Sequence, residues 1–175
     1  MVRLVVVLLL VCGVVVGCGA AEPEGPFPPR PAEIDVANVD PCVAMTPDLR
    51  QRLGVEGDEP AVVELADGPS RACSWGNYDT AESYTVQTIG TPAARLSNAR
   101  GATLTAVDGF GAVRVVDSED TAPLCELYID TSAASSVRVQ VRDSGYDDRS
   151  RGPIDEVCRS AETLATSYLT AARSH

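Results

Sequence analysis

The residue types that ordinarily carry out chemistry are few in this chain, and several are missing. The single His is His175, the last residue, so His-dependent triads and His acid–base pairs have no source. All 14 basic residues are Arg, and without Lys there is neither Schiff-base nor Ser–Lys chemistry. The sequence holds no Gly-x-Ser-x-Gly elbow, P-loop or dinucleotide fingerprint. The 25 acids leave a two-carboxylate hydrolase as the surviving catalytic reading. Two acidic clusters have the oxygen chemistry of a calcium site: Asp117, Glu119 and Asp120, and Asp143, Asp147 and Asp148 around Gly145. Neither has EF-hand spacing, and Asp, Gly and Ser are the ordinary material of turns, so both are read as solvated turns with no metal. Asp108-Gly109-Phe110-Gly111 is read as a tight connection between strands. Trp75, two residues from Cys73, is read as an aromatic packed on a disulfide in preference to a stacking platform for sugar or lipid.

The cysteines are more informative. Arg3 followed by an apolar run from Leu4 to Val16 has the order of a secretory signal peptide, and the run is too short for a stable transmembrane helix of about 20 apolar residues. Val15-Val16-Gly17-Cys18 resembles the bacterial lipobox. That resemblance implies cleavage before Cys18 and a diacylglyceryl group on its thiol, hence a membrane anchor on the outer face of the cell membrane. Cys12 is removed with residues 1–17. The mature chain then has 13 basic and 25 acidic residues, a net of −12, which disfavours nucleic acid as a partner and broad adhesion to anionic headgroups. The Arg-only basic set, with abundant Ala, Val, Gly and Pro, points to GC-rich coding and an actinobacterial source.

The remaining four, Cys42, Cys73, Cys125 and Cys158, are an even number in an exported chain, and their spacings exceed thirty residues, unlike the close pairs of zinc sites. Two disulfides are expected. Cys42 with Cys73 and Cys125 with Cys158 is the favoured pairing, because each bond would tie a helix to a nearby strand; the nested pairing stays open.

Positioning these residues requires an ordered domain, taken as 40–175. Residues 18–39, with Pro23, Pro26, Pro28, Pro29 and Pro31 among acids, read as a disordered or polyproline-like tether of about 60 Å maximum reach. Gly152-Pro153 with Asp155 and Glu156 opens a long C-terminal helix, whose stripe runs from Ile154 through Val157, Cys158, Ala161, Leu164, Ala165, Tyr168 and Leu169 to Ala172. Thr46-Pro47 and Thr91-Pro92 each start a shorter helix, stopped at Gly54 and Gly101. Strands are expected at 136–143, with Val137, Val139 and Val141 on one face, and at 124–129. Weaker candidates are 61–65, 72–78, 83–89 and 112–116. The fold class is α+β: an antiparallel sheet of about five to six strands with helices packed on it, a long C-terminal helix and two disulfides.

Asp40-Pro41-Cys42, Thr46-Pro47, Leu53-Gly54, Cys73-Ser74-Trp75, Gly109-Phe110-Gly111, Cys125 and Cys158, in this order behind a lipobox, resemble an actinobacterial lipoprotein family catalogued as domain of unknown function 3558, over about residues 38 to 173. The resemblance implies a mycobacterial-type envelope lipoprotein, with a sandwich shared with other envelope lipoproteins and external kinase sensor domains, and brings no activity or cofactor. The expected role is a non-catalytic binding module holding a lipid, glycan or small envelope ligand in a groove between sheet and helices. The alternative is a scaffold lipoprotein docking an envelope enzyme or receptor, which predicts an exposed apolar patch; a carboxylate hydrolase stands third.

Overall fold

A computed structural model of the protein describes residues 25–66, 68–117, 122–147 and 151–174. The segment 1–17 expected to be a signal peptide, Cys18, Glu119, Asp120, Asp148 and His175 lie outside the described residues.

Local chemistry sets the helices. Asp40 accepts the Cys42 N–H at 2.9 Å and opens a 3-10 turn, Pro41–Ala44. Thr46 Oγ1 then accepts the Leu49 N–H at 3.2 Å, Pro47 takes the first helical position, and α1 runs Pro47–Leu53 until Gly54 turns left-handed at φ 60°. The C-terminal helix, α2, spans Ile154–Ala172. Asp155 and Glu156 lie in its first turn, Pro153 is its cap, and eight of the nine stripe residues are buried, Ile154 being the half-exposed exception.

Seven strands form one antiparallel sheet: β1 Glu56–Leu65, β2 Gly68–Asn77, β3 Glu82–Ile89, β4 Thr103–Val107, β5 Phe110–Asp117, β6 Leu124–Asp130 and β7 Ser136–Asp143. Their order is β1-β2-β3-β7-β6-β5-β4. A three-strand and a four-strand meander therefore meet along the β3–β7 seam, where Val86 faces Val139 and Tyr84 faces Val141. The α2 stripe packs on one face of this sheet, in a core with Val137, Val139, Val141, Cys125, Leu127, Ile129 and Phe110.

Three expectations are corrected. The sheet has seven strands, not five to six, because β4 completes the far edge; its Thr-Leu-Thr-Ala-Val sequence buries only Val107 and so lacks the alternation of a half-buried strand. The helix expected from Thr91-Pro92 to Gly101 is one 3-10 turn, Ala93–Leu96, without a side-chain cap. Ser97 ends it by donating its hydroxyl to the Ala94 carbonyl at 2.8 Å, the local competition that disfavours Ser inside helices.

The third correction concerns the tether, of which residues 25–39 belong to the fold. Phe27, Ile34, Val36 and Val39 are all buried. Arg30 Nε donates to Asp130 Oδ2 at 2.6 Å, the Ile34 N–H donates to the Thr131 carbonyl at 2.9 Å, and the Arg71 guanidinium donates to the carbonyls of Ala37 and Val39 at 2.6 and 2.9 Å. Composition misleads here because four apolar side chains cannot form a core among themselves, yet suffice when the sheet supplies the other side.

Candidate binding face

The space between α2 and the sheet, where a ligand groove was expected, is filled: Leu164, Ala165, Tyr168 and Leu169 are fully buried against it. Within this core Cys42 is bonded to Cys73, and Cys125 to Cys158, with Cα atoms 5.2 and 5.1 Å apart; each bond joins a helical segment to a strand. Trp75 belongs to the same buried cluster as Cys73. It is 2% exposed, so its ring offers no stacking surface, and its indole N–H donates to Asp58 Oδ1 at 2.5 Å. Asp58 also receives Arg50 at 2.5 Å. The Trp75 hydrogen bond, with help from Arg50 and against some burial, holds the Asp58 carboxyl below its ordinary range.

The opposite sheet face is different. The chain crossing from β3 to β4 covers part of it: Ala93, Val113 and Phe27 form a small second core, with Ala94, Leu96, Ala102, Val115 and Tyr128 around it. At and beyond the edge of that cover lie two rows of mostly half-buried side chains, of which Ala72 and Gln87 are buried. Register places Ala61, Ala72, Gln87, Arg138 and Tyr128 side by side on successive strands, and Ser74, Thr85, Gln140 and Glu126 in the adjacent row. A groove of 540 Å³ follows the first row, with Ala61, Val63 and Leu65 as an apolar wall and Gln87, Arg138 and Tyr128 as its polar floor.

The floor is held rigidly. Arg138 Nε donates to Glu126 Oε1 at 2.9 Å, and Nη2 donates to the same oxygen and, at 2.5 Å, to Gln140 Oε1; Nη1 donates to Gln87 Oε1 at 3.1 Å. Gln87 donates in turn to Ser70 Oγ at 2.9 Å, and the Tyr128 hydroxyl to Glu126 Oε2 at 3.3 Å. Partial burial, reinforced by the Glu126 carboxylate and opposed by Arg138, raises the Tyr128 phenol above its usual value, so it stays a hydrogen-bond donor at neutral pH. Both Glu126 oxygens are engaged. The arrangement presents fixed amide, guanidinium, carboxylate and phenol groups beside an apolar wall, which suits hydrogen bonding to a ligand better than proton transfer.

The other sequence candidates are structural. Asp108 and Gly109, at φ 50° and 83°, form the two-residue β4–β5 hairpin turn, with Val107 facing Phe110. Arg173 is ion-paired to Asp108, and its guanidinium lies 5.0 Å from the Phe110 ring centroid. Asp143 accepts the Gly145 N–H at 3.0 Å and the Gly152 N–H at 2.6 Å, which commits both oxygens to backbone; Asp117 ends β5 in solvent. Among the described residues no group of three or more His, Cys, Asp or Glu is placed to hold a metal ion. In the sequence, Arg138 stands out only as the residue between Val137 and Val139 in an alternating strand. The missed signal was that Arg138 sits in the middle strand of the sheet, where such a side chain must find partners on both neighbours.

The class of protein is thus a disulfide-stapled α+β domain, one sheet with a helix-covered face and a half-open polar face. Residues 13–171 match the family described as Protein of unknown function (DUF3558), and the chain belongs to it. No curated protein and no solved structure matches the chain.

Proposed function

We propose that this protein is an exported lipoprotein of actinobacterial type, lipid-anchored through Cys18 on the outer face of the cell membrane, and a non-catalytic binding module for an envelope ligand. Lipobox spacing and the four disulfide-bonded cysteines support the address. The observation that carries the function is the Arg138 floor beside the Ala61–Val63–Leu65 wall. Of the ligand classes considered, lipid, glycan or small envelope molecule, it fits best one with hydroxyls along one edge and an apolar face, as in a glycan or a glycolipid headgroup.

Native mass spectrometry of the protein recovered from its own envelope tests this, beside a Val63→Asp variant. Val63 is 40% exposed, so the variant leaves the core intact. The expected result is a small extra mass on the natural protein that the variant loses. Bare protein in both, or equal ligand on both, overturns the assignment of this face.

A second reading, a scaffold that docks an envelope protein, is favoured by one observation. β1 is an edge strand, exposed along all ten residues, and shows Val62 at 68% and Leu65 at 37%. Cross-linking in the envelope from position 62 would report such a partner.

A further inference from the structure

We propose that the segment from Gly90 to Val107, beside which the docked strap 25–39 enters the fold, is a membrane-facing surface that rests on anionic lipid headgroups and points the β1 edge away from the bilayer. The inference rests on the reading of Cys18 as the lipidated residue.

Two observations carry it. The first is reach. Phe27 is buried against Ala93 and Val113, so the chain leaves the fold beside the 3-10 turn Ala93–Leu96. Seven residue steps separate Cys18 from Gly25, at most about 25 Å even fully extended, well under half the reach of a free tether ending at residue 39. The surface from which the strap departs must therefore lie near the lipid. The second is charge. In a chain of net −11, residues 90–107 contain Arg95 and Arg100 and no acid, while the strap adds no free base, its Arg30 being paired to Asp130 and Glu33 beside an exposed Asp35. β1, by contrast, contains Glu56, Asp58, Glu59 and Glu64 and no base. Arg95 and Arg100 are exposed, and Leu104, on the outer strand β4, is 53% exposed. β1 and β4 are the opposite edges of the sheet, six strand spacings or roughly 29 Å apart, and the turn that carries Arg95 lies over β5 and β6, in the half of the sheet away from β1. Each basic residue near an anionic surface is worth roughly fivefold in occupancy. That is small for a free protein and sufficient to orient one already anchored.

The test is hydrogen exchange on the full-length lipidated chain in phosphatidylcholine vesicles with and without phosphatidylglycerol, beside an Arg95→Glu/Arg100→Glu variant. Amides of 93–104 are expected to exchange several-fold more slowly when phosphatidylglycerol is present, those of 56–65 to be unchanged, and the variant to lose the difference while keeping its melting temperature. The same samples give the mass of the N-terminal peptide. A lipidated Cys18 with no footprint over 93–104, or with one over 56–65, overturns the orientation alone. A Cys18 without lipid overturns the lipoprotein reading and this inference with it.

Discussion

Phe27 occupies the space that a side chain on Gly111 would need: a Cβ built at Gly111 collides with Cβ, Cγ and Cδ1 of Phe27. The glycine in β5 is thus explained by close approach of the strap. Gly109 stands in the same relation to Pro31, whose Cγ lies 2.9 Å from a Cβ built there. Phe27→Ala is expected to destabilise the domain by about 3 kcal/mol, and Gly111→Ala by about 1–3 kcal/mol through overpacking. Because the two share one space, the double variant is expected to cost less than the sum. Denaturant melts of the four proteins measure the coupling, and strict additivity would show that Phe27 does not pack on Gly111 in solution.

The disulfides close loops of 31 and 33 residues, Cys42 to Cys73 and Cys125 to Cys158. On the chain-entropy model each contributes roughly 3–4 kcal/mol. Replacing either pair by Ser is expected to lower the denaturation midpoint by a similar amount, and replacing both to leave the domain unfolded at ambient temperature. Non-reducing peptide maps check the pairing independently.

What the sequence made legible was whatever local chemistry decides. Thr46-Pro47 and Gly54 bound α1 as expected, the α2 stripe is the buried one, and β7 runs over the residues that alternation marks. What escaped depends on distant partners. The strap looked like linker because its apolar residues are sparse, and their burial is supplied by strands distant in the chain, Val113 of β5 for Phe27 and β2 beside Val39. The floor around Arg138 was invisible because Glu126, Gln87 and Gln140 come together only through the register of three strands.

Tyr168 lies fully buried in α2 with, among the described residues, no hydrogen-bond partner for its hydroxyl. Burial raises its phenol well above the usual value, opposed by Arg71 and assisted by Asp40. An unsatisfied buried hydroxyl costs roughly 1–3 kcal/mol, so Tyr168→Phe is expected to keep the ring packing and raise the melting temperature by a few degrees. A large loss of stability instead would mean that the hydroxyl has a partner in solution.

Asp58 gives a pH signature. Its carboxyl is depressed in the folded state by the Trp75 hydrogen bond and then by Arg50, so its stabilising contribution is fully present above the ordinary Asp value near 3.8 and is lost as pH falls through the lower folded value. Asp58→Asn is expected to lower the melting temperature at neutral pH by a small amount, since the side chain is 53% exposed. The gap should close on acidification; a gap independent of pH would remove the charge from the explanation. Trp75 fluorescence supplies the readout at the site itself.

The two disulfides do not overlap along the chain, each enclosing its own stretch of sequence with 51 residues between Cys73 and Cys125. For a chain exported as proposed, threaded through a channel N-terminus first, that spacing would set a timetable. Cys42 and Cys73 are both outside while Cys125 is still to come, so an oxidase that joins thiols in order of appearance produces the native bonds directly, and no reshuffling of wrong pairs is needed before the second meander closes the sheet.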